Sequence, residues 1–260
     1  LKSSLYFHFI LSSIIQLSFI ASAFANTVSV VADPWCPFTC APQLGMNGAM
    51  IDVLAEVFGK VGKGLVYKNL DWSNAIQETR EGKFSAIAGA LKSDAPDFIF
   101  PETPIGFQRS CLFIKKGSAE IKSIDGTALK GLKIGAVKDY KYGEPFDSVV
   151  PRMQESGGKP LRFVEGVNTT QKLFLDLKAG LIDVLVEDES VVSFLEALPS
   201  KPLKGIQFVK TVCQVKQPLF IAFSPKRPES AKLAAQLDKG LQRLSEAKKL
   251  AKIWKNYSIE

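Results

Sequence analysis

Two stretches of the chain, AIQETREGKFSAIA at residues 75–88 and QKLFLDLKAGLIDVLV at residues 171–186, follow one grammar. Each opens with an amphipathic helical period, stops at a glycine (Gly82, Gly180), and resumes after a short connection as an apolar run of strand length. Working outward from the first, Val28 to Ala32 is a β-branched run closed by Asp33-Pro34, which reads as a buried strand ending in a turn. Ala49 to Lys60 places Met50, Val53, Leu54, Val57 and Phe58 at helical spacing, and Leu65-Val66-Tyr67 is the next strand. Asp71-Trp72-Ser73 precedes a helix from about Asn74 to Glu81, and Phe84 to Ala88 is the third strand. Around the second stretch, Leu132 to Val137 reads as a strand, Tyr142 to Ser156 as a helix, Leu161 to Val164 as a strand, Thr170 to Ala179 as a helix and Ile182 to Val186 as a strand. Strand, helix, strand, helix, strand, occurring twice, predicts an α/β protein of two similar lobes built on parallel sheets. A unit of roughly 100 residues used twice is internal symmetry, not a solenoid.

Phe100-Pro101-Glu102-Thr103-Pro104-Ile105-Gly106 is too rich in proline for a helix or central strand, so it reads as a crossing between lobes. A return crossing falls at Gln214 to Gln217, before the strand Leu219 to Phe223. A long helix from Ser230 to Leu244 and a last one carrying Leu250, Ile253 and Trp254 are expected to pack back on the first lobe. The predicted organisation is residues 26–106 plus 217–260 as lobe one and 107–216 as lobe two. Two crossings make a hinge, and the cleft between lobes is the expected ligand site.

The composition, 46% hydrophobic and 23% charged, excludes disorder and leaves a globular protein. At the start, Lys2 is followed by the apolar run Ile10 to Ile20 and then Ala21-Ser22-Ala23-Phe24-Ala25, small residues at the spacing of a signal-peptide cleavage site. The expectation is residues 1–25 as a signal peptide cut after Ala25; Ser12, Ser13, Gln16 and Ser18 interrupt the run too often for a membrane anchor. His8, the only histidine in the chain, leaves with it, which removes Ser-His-Asp and Cys-His catalysis and histidine metal sites. The net charge of +7 comes from Lys and Arg spread along the chain rather than clustered, and no nucleic-acid motif accompanies it. Neither a metal nor a cofactor is expected. Four cysteines in an exported product predict disulfides. Three connectivities are possible; the expected one pairs Cys36 with Cys40, close in sequence, and Cys111 with Cys213.

Ala32-Asp33-Pro34-Trp35-Cys36-Pro37-Phe38, Gly48 with Ile51-Asp52-Val53-Leu54, Asp71-Trp72, Gly82-Lys83-Phe84, Lys133-Ile134-Gly135-Ala136-Val137, Gly180-Leu181-Ile182-Asp183 with Asp188, and Ile253-Trp254-Lys255 occur in an order and spacing that resemble the bacterial solute-binding proteins of amino-acid-type ABC transporters (family 3). The resemblance spans nearly all of 27–257 and implies the type II periplasmic-binding-protein fold, closing on a small ligand like a trap. It implies a monomer in the periplasm that delivers its ligand to a membrane permease or a sensor receptor, without catalysis. It also implies ligand contacts: an aromatic platform at Trp72 with Trp35 and Phe38 nearby, and an ammonium-holding carboxylate at Asp188. Aromatic faces bury ligand surface and attract a cation.

The family's amino-acid binders carry an arginine before the first crossing that grips the ligand carboxylate. Here that stretch is Lys92-Ser93-Asp94-Ala95-Pro96-Asp97, and a carboxylate cannot donate to a carboxylate. Asp94 or Asp97 is therefore the candidate cleft residue of the opposite charge, and Lys92, Lys138 or Tyr140 are the candidates to meet an acid group. The expected ligand carries at least one amine. The competing readings are an orphan binding protein feeding a signalling receptor, and a dehydratase-like enzyme on the same scaffold, which would need a carboxylate of raised pKa beside a substrate anchor.

Overall fold

The computed structural model describes residues 26–159 and 161–259; the expected signal peptide lies outside them. Two five-stranded sheets form the frame. In the first, β1 (Thr27–Ala32) pairs in parallel with β2 (Gly64–Asn69) and β3 (Ala86–Ala90). The strand β10 (Gln217–Phe223) then joins β3 antiparallel and carries the short edge strand β4 (Gly106–Gln108) on its other side, giving the order β2-β1-β3-β10-β4. The second sheet repeats the plan. Its parallel trio is β7 (Arg162–Val164), β6 (Ile134–Val137) and β8 (Val184–Asp188), followed by the antiparallel β5 (Ser110–Lys115) and β9 (Phe208–Cys213). The chain passes between the sheets twice, after β4 and before β10.

Seven α-helices cover these sheets among the described residues: α1 (Ala49–Gly59), α2 (Trp72–Arg80), α3 (Phe146–Glu155), α4 (Thr169–Ala179), α5 (Glu189–Ala197), α6 (Ser230–Glu246) and α7 (Lys249–Asn256). The apolar stripe predicted for α1 is wholly buried: Met50, Val53, Leu54, Val57 and Phe58 are at most 1% exposed. They join Val28, Val30, Ile221, Phe223, Leu237 and Leu241 in one large core, each buried side chain worth about 1.5–3 kcal/mol of transfer free energy. The closing helices belong to this core. A Cβ on Gly240 would lie 2.3 Å from Val57 Cγ1, so α6 meets α1 at a distance only glycine allows. Trp254 of α7 lies over Gly106 of β4 in the same way, and Tyr257 donates from its hydroxyl to Asp52 at 2.6 Å. A smaller cluster around Val31, Trp72, Ala75 and Ile87 lies on the other face of the first sheet, and the second sheet likewise carries a cluster on each face, one under α4 around Phe113, Phe174 and Leu185, the other under α3 around Leu112, Phe146 and Val186.

The helix expected from Tyr142 begins four residues later. Asp147 accepts from the backbone N–H of Tyr142 and Gly143 at 3.0 and 2.8 Å, holding that segment as a turn, with Gly143 at φ +91°. Four of the strands and α-helices were not anticipated: the edge strand β4, which keeps Phe107 and Gln108 on the first sheet where the second lobe was expected to begin, β5, the edge strand β9, and α5, which starts within the acidic run Glu187-Asp188-Glu189. Both disulfides are present as paired above, Cys36–Cys40 and Cys111–Cys213, the latter joining β5 to β9 in direct register.

Candidate functional site

The parallel strands of both sheets end at the interlobe cleft, where α/β sheets concentrate ligand sites. From the first sheet, β1 runs into Asp33, and the loop after it is pinned twice: by the Cys36–Cys40 bridge and by a backbone pair between Trp35 and Thr39 at 2.6 and 3.0 Å. Thr39 adds a hydroxyl bond to the Asp33 carbonyl at 2.9 Å. This rigid loop presents Trp35, with Phe38 stacked behind it at 4.4 Å between ring centroids. Trp72 opens α2 directly after β2, and Asp94 follows β3, where its carboxylate accepts from Leu91 N–H at 2.7 Å. From the second sheet, Tyr140 and Lys141 follow β6, and Glu187 is the penultimate residue of β8.

These segments enclose a narrow cavity lined by Asp33, Trp35, Trp72, Gly89, Leu91 and Asp94 on one side and Gln108, Tyr140 and Lys141 on the other. Its free volume is about 30 Å³, room for about one water molecule, so the lobes are shut on each other and anything larger enters only when they part. The lobes touch through Trp35 Nε1, which donates to Glu187 at 3.4 Å, through Ser73 Oγ, which donates to Asp139 at 2.7 Å, and through an edge-to-face contact of Trp35 with Tyr140 at 6.5 Å. Val191 of α5 crosses over to join the core of the first sheet.

The electrostatics of this seam are acidic. Asp33 is 8% exposed, and among the described residues no other group donates a hydrogen bond to its carboxylate. Burial pushes its carboxyl up to about 7, with Glu187, Asp71 and Asp94 adding repulsion and only its own backbone N–H opposing. Asp94 is pushed up to about 6, again by burial first, with Lys141 drawing it back. Glu187 is wholly buried and held by Thr170 Oγ1 at 2.6 Å and the Asp188 N–H at 2.8 Å; burial raises its carboxyl as well.

The cavity therefore brings together four of the eight residues singled out from sequence: Trp35, Trp72, Asp94 and Tyr140. Lys92 lies in an adjoining pocket that shares Leu91 and Lys141 with the cavity, its Nζ 4.9 Å from the Phe220 ring centroid. The other three sit elsewhere. Phe38 is fully buried behind Trp35. Lys138 is exposed and paired with Glu165 at 2.9 Å. Asp188 is the N-cap of α5: its carboxylate accepts from Ser190 and Val191 N–H on one oxygen and from Arg109 N–H on the other. Burial outweighs those donors and raises its carboxyl to about 7. Asp33, Glu187, Gln108 and Lys141 were not singled out. The signal for Asp33 lies in the sequence, as the first polar residue after a wholly apolar strand end; Glu187 offers none, since a strand-end acid beside two others reads as solvated.

One metal-like grouping occurs among the described residues, Cys111, Cys213 and Glu189, but the disulfide leaves no thiolate there to coordinate.

Two α/β lobes joined by two crossings, with a mixed aromatic and charged cleft at the strand ends, define a binding protein of the type II periplasmic fold. The chain belongs to the bacterial extracellular solute-binding proteins, family 3, whose sequence profile matches residues 28–260. A curated relative, the probable amino-acid-binding protein YxeM of Bacillus subtilis (strain 168), is 22% identical over 170 residues, 65% of this chain and 61% of the relative. Among solved structures, a substrate-binding protein of an ABC uptake transporter from Streptococcus pneumoniae with bound histidine superposes with a TM-score of 0.71 at 17% identity, covering 92% of this chain and 95% of that one. A histidine kinase sensor domain similar to periplasmic binding proteins gives 0.72 at 18% identity, covering 89% and 95%.

Proposed function

We propose that the protein is an exported, non-catalytic binding protein that traps a small amine-bearing solute, an amino acid or related compound, between its lobes and hands it to the membrane permease of an ABC-type importer. In this reading residues 1–25 direct export to the periplasm and are removed, and the mature chain acts as a monomer whose lobes move about the two crossings, after β4 and before β10.

The observation that carries the ligand class is Asp33. A carboxylate buried at the cleft wall, without a partner from another residue and repelled by three further acids, is costly when ionised and becomes favourable once a cation sits against it. Trp35, Trp72 and Tyr140 supply the faces that would cover the carbon frame and add cation–π attraction of about 1–2 kcal/mol in a dry site. Lys141 stands opposite, where an acid group of a zwitterion would rest. The ammonium role that the family resemblance places at Asp188 falls on Asp33 in this proposal, because the Asp188 oxygens already serve backbone donors.

Calorimetry of the purified protein against arginine, histidine, glutamine, putrescine and succinate tests this. The expected result is saturable binding of at least one amine-bearing compound, weakened about 100-fold in Asp33→Asn, the usual scale for removing one partner of a buried charged pair. Tight binding of succinate, undiminished by Asp33→Asn, would overturn it.

A further inference from the structure

A second pocket lies on lobe two, away from the cleft and sharing no residue with it. Its volume is about 650 Å³, the size range of small-molecule sites. The floor is apolar, formed by Val149 and Met153 of α3, and the rim carries three cations, Lys130, Arg152 and Lys159, with no acidic residue anywhere in the lining. The chain around it is set by close packing: a Cβ on Gly158 would lie 2.6 Å from the Met153 carbonyl oxygen, so the segment leaving α3 can fold against the helix end only as glycine.

The three cations have different origins. Arg152 sits in the last turn of α3, where a positive charge offsets the helix dipole, and its Nε donates to the Ser148 carbonyl at 2.7 Å. That bond fixes the guanidinium while leaving both terminal nitrogens without a protein acceptor among the described residues. Lys130 comes from the turn before β6, and Lys159 from the segment that folds back against the end of α3. Neither lysine forms an ion pair among the described residues. The nearest acid in the loop carrying Lys130, Asp125, is occupied by the N–H groups of Thr127 and Ala128 and the Ser123 hydroxyl.

We infer that this pocket is a second binding site, for an organic phosphate whose apolar part lies over Val149 and Met153 and whose phosphate meets the Arg152 fork and the two lysines. Three positive charges without a compensating acid suit a group carrying nearly two negative charges better than a single carboxylate, and the planar fork matches two phosphate oxygens at once. The apolar floor is what separates this from a site for inorganic phosphate. A soluble phosphate ester and a phospholipid headgroup at the membrane surface share this chemistry.

The test uses the full mature protein at low ionic strength, with phenyl phosphate, inorganic phosphate, and vesicles of phosphatidylglycerol or phosphatidylcholine as probes. Saturable calorimetric binding of phenyl phosphate is expected, at least tenfold tighter than inorganic phosphate, weakened tenfold or more in Arg152→Gln and in the double variant Lys130→Gln/Lys159→Gln, and fading with added salt. Co-sedimentation with phosphatidylglycerol but not phosphatidylcholine vesicles, lost in the double variant, would identify the lipid as the source. Binding of phenyl phosphate without vesicle binding would identify a soluble ester. The double variant alters only exposed lysines, so it decides the matter even if Arg152→Gln disturbs α3. Absence of saturable phenyl phosphate binding, or unchanged binding in the double variant, overturns the inference.

Discussion

The two lobes are built on one plan and put it to different uses. Each has a parallel trio of strands, then an antiparallel strand supplied from across the hinge, then a short or irregular edge strand. In lobe one the antiparallel strand is β10, near the end of the chain; in lobe two it is β5, just after the first crossing. The contrast appears where strands meet the cleft. On lobe one the loop after β1 is stapled, and the acid beside it, Asp33, is left without a partner. On lobe two the acid ending β8, Asp188, is consumed in starting α5. An acid at a strand end is thus left without a donor from another residue in one lobe and used as a structural cap in the other, and the local fate of the next few backbone N–H groups decides which.

The bridges provide the largest expected break in that comparison. Cys36–Cys40 closes a sequence separation of 4 and Cys111–Cys213 one of 102. Loop-closure entropy predicts that replacing the lobe-two pair by alanine costs about 5 kcal/mol and the lobe-one pair about 2 kcal/mol in urea unfolding. Equal losses would show that the lobe-one staple holds more than its loop.

Next in size is pH. The Asp33 carboxyl rises from an ordinary 3.8 to about 7, Asp94 to about 6 and Asp188 to about 7, burial being the leading cause in each. The folded state then holds protons that the unfolded chain has released, so stability is fully present below about pH 4 for these groups and is lost as pH rises toward 7. For Asp33 alone the ceiling is about 4 kcal/mol. Ligand-free protein should melt at higher temperature at pH 5 than at pH 8, and Asp33→Asn should flatten the profile. A profile rising from pH 5 to 8 would show that the seam is not acid-strained.

The smallest effect sharpens the contrast between the two acids. Asp188→Ala should lower stability by about 1–2 kcal/mol, as loss of a helix N-cap does, while amine affinity changes less than in Asp33→Asn. Chemical denaturation and calorimetry on the two variants side by side measure both; an affinity loss in Asp188→Ala as large as in Asp33→Asn would return the ammonium role to Asp188.

Much of the fold was legible because its causes are local. The helical period of Met50 to Phe58, the glycine stops at Gly82 and Gly180 and the prolines of 101–104 act on their own neighbours, so they read correctly from the chain. Strands β4, β5 and β9 were missed because β4 is three residues directly after the proline-rich crossing, the apolar run Cys111 to Ile114 lacks the punctuation of its neighbours, and Phe208 to Cys213 is a half-exposed edge. The cleft was half legible. Trp72, Trp35, Asp94 and Tyr140 follow strand ends that could be located in advance, whereas Phe38, Lys138 and Asp188 stood near enough in sequence to qualify and were turned away by packing, pairing and capping.

The amino-acid sequence by itself determined the two-lobed α/β plan, which rests on periodicity and punctuation, and the family, which rests on the order and spacing of its motifs. Only the tertiary structure decided which carboxylates are free. Whether an acid is a ligand group or a cap depends on the hydrogen-bond donors and the degree of burial that folding brings to it, and those arrive from residues as distant in the chain as Arg109 is from Asp188 and Glu187 from Asp33.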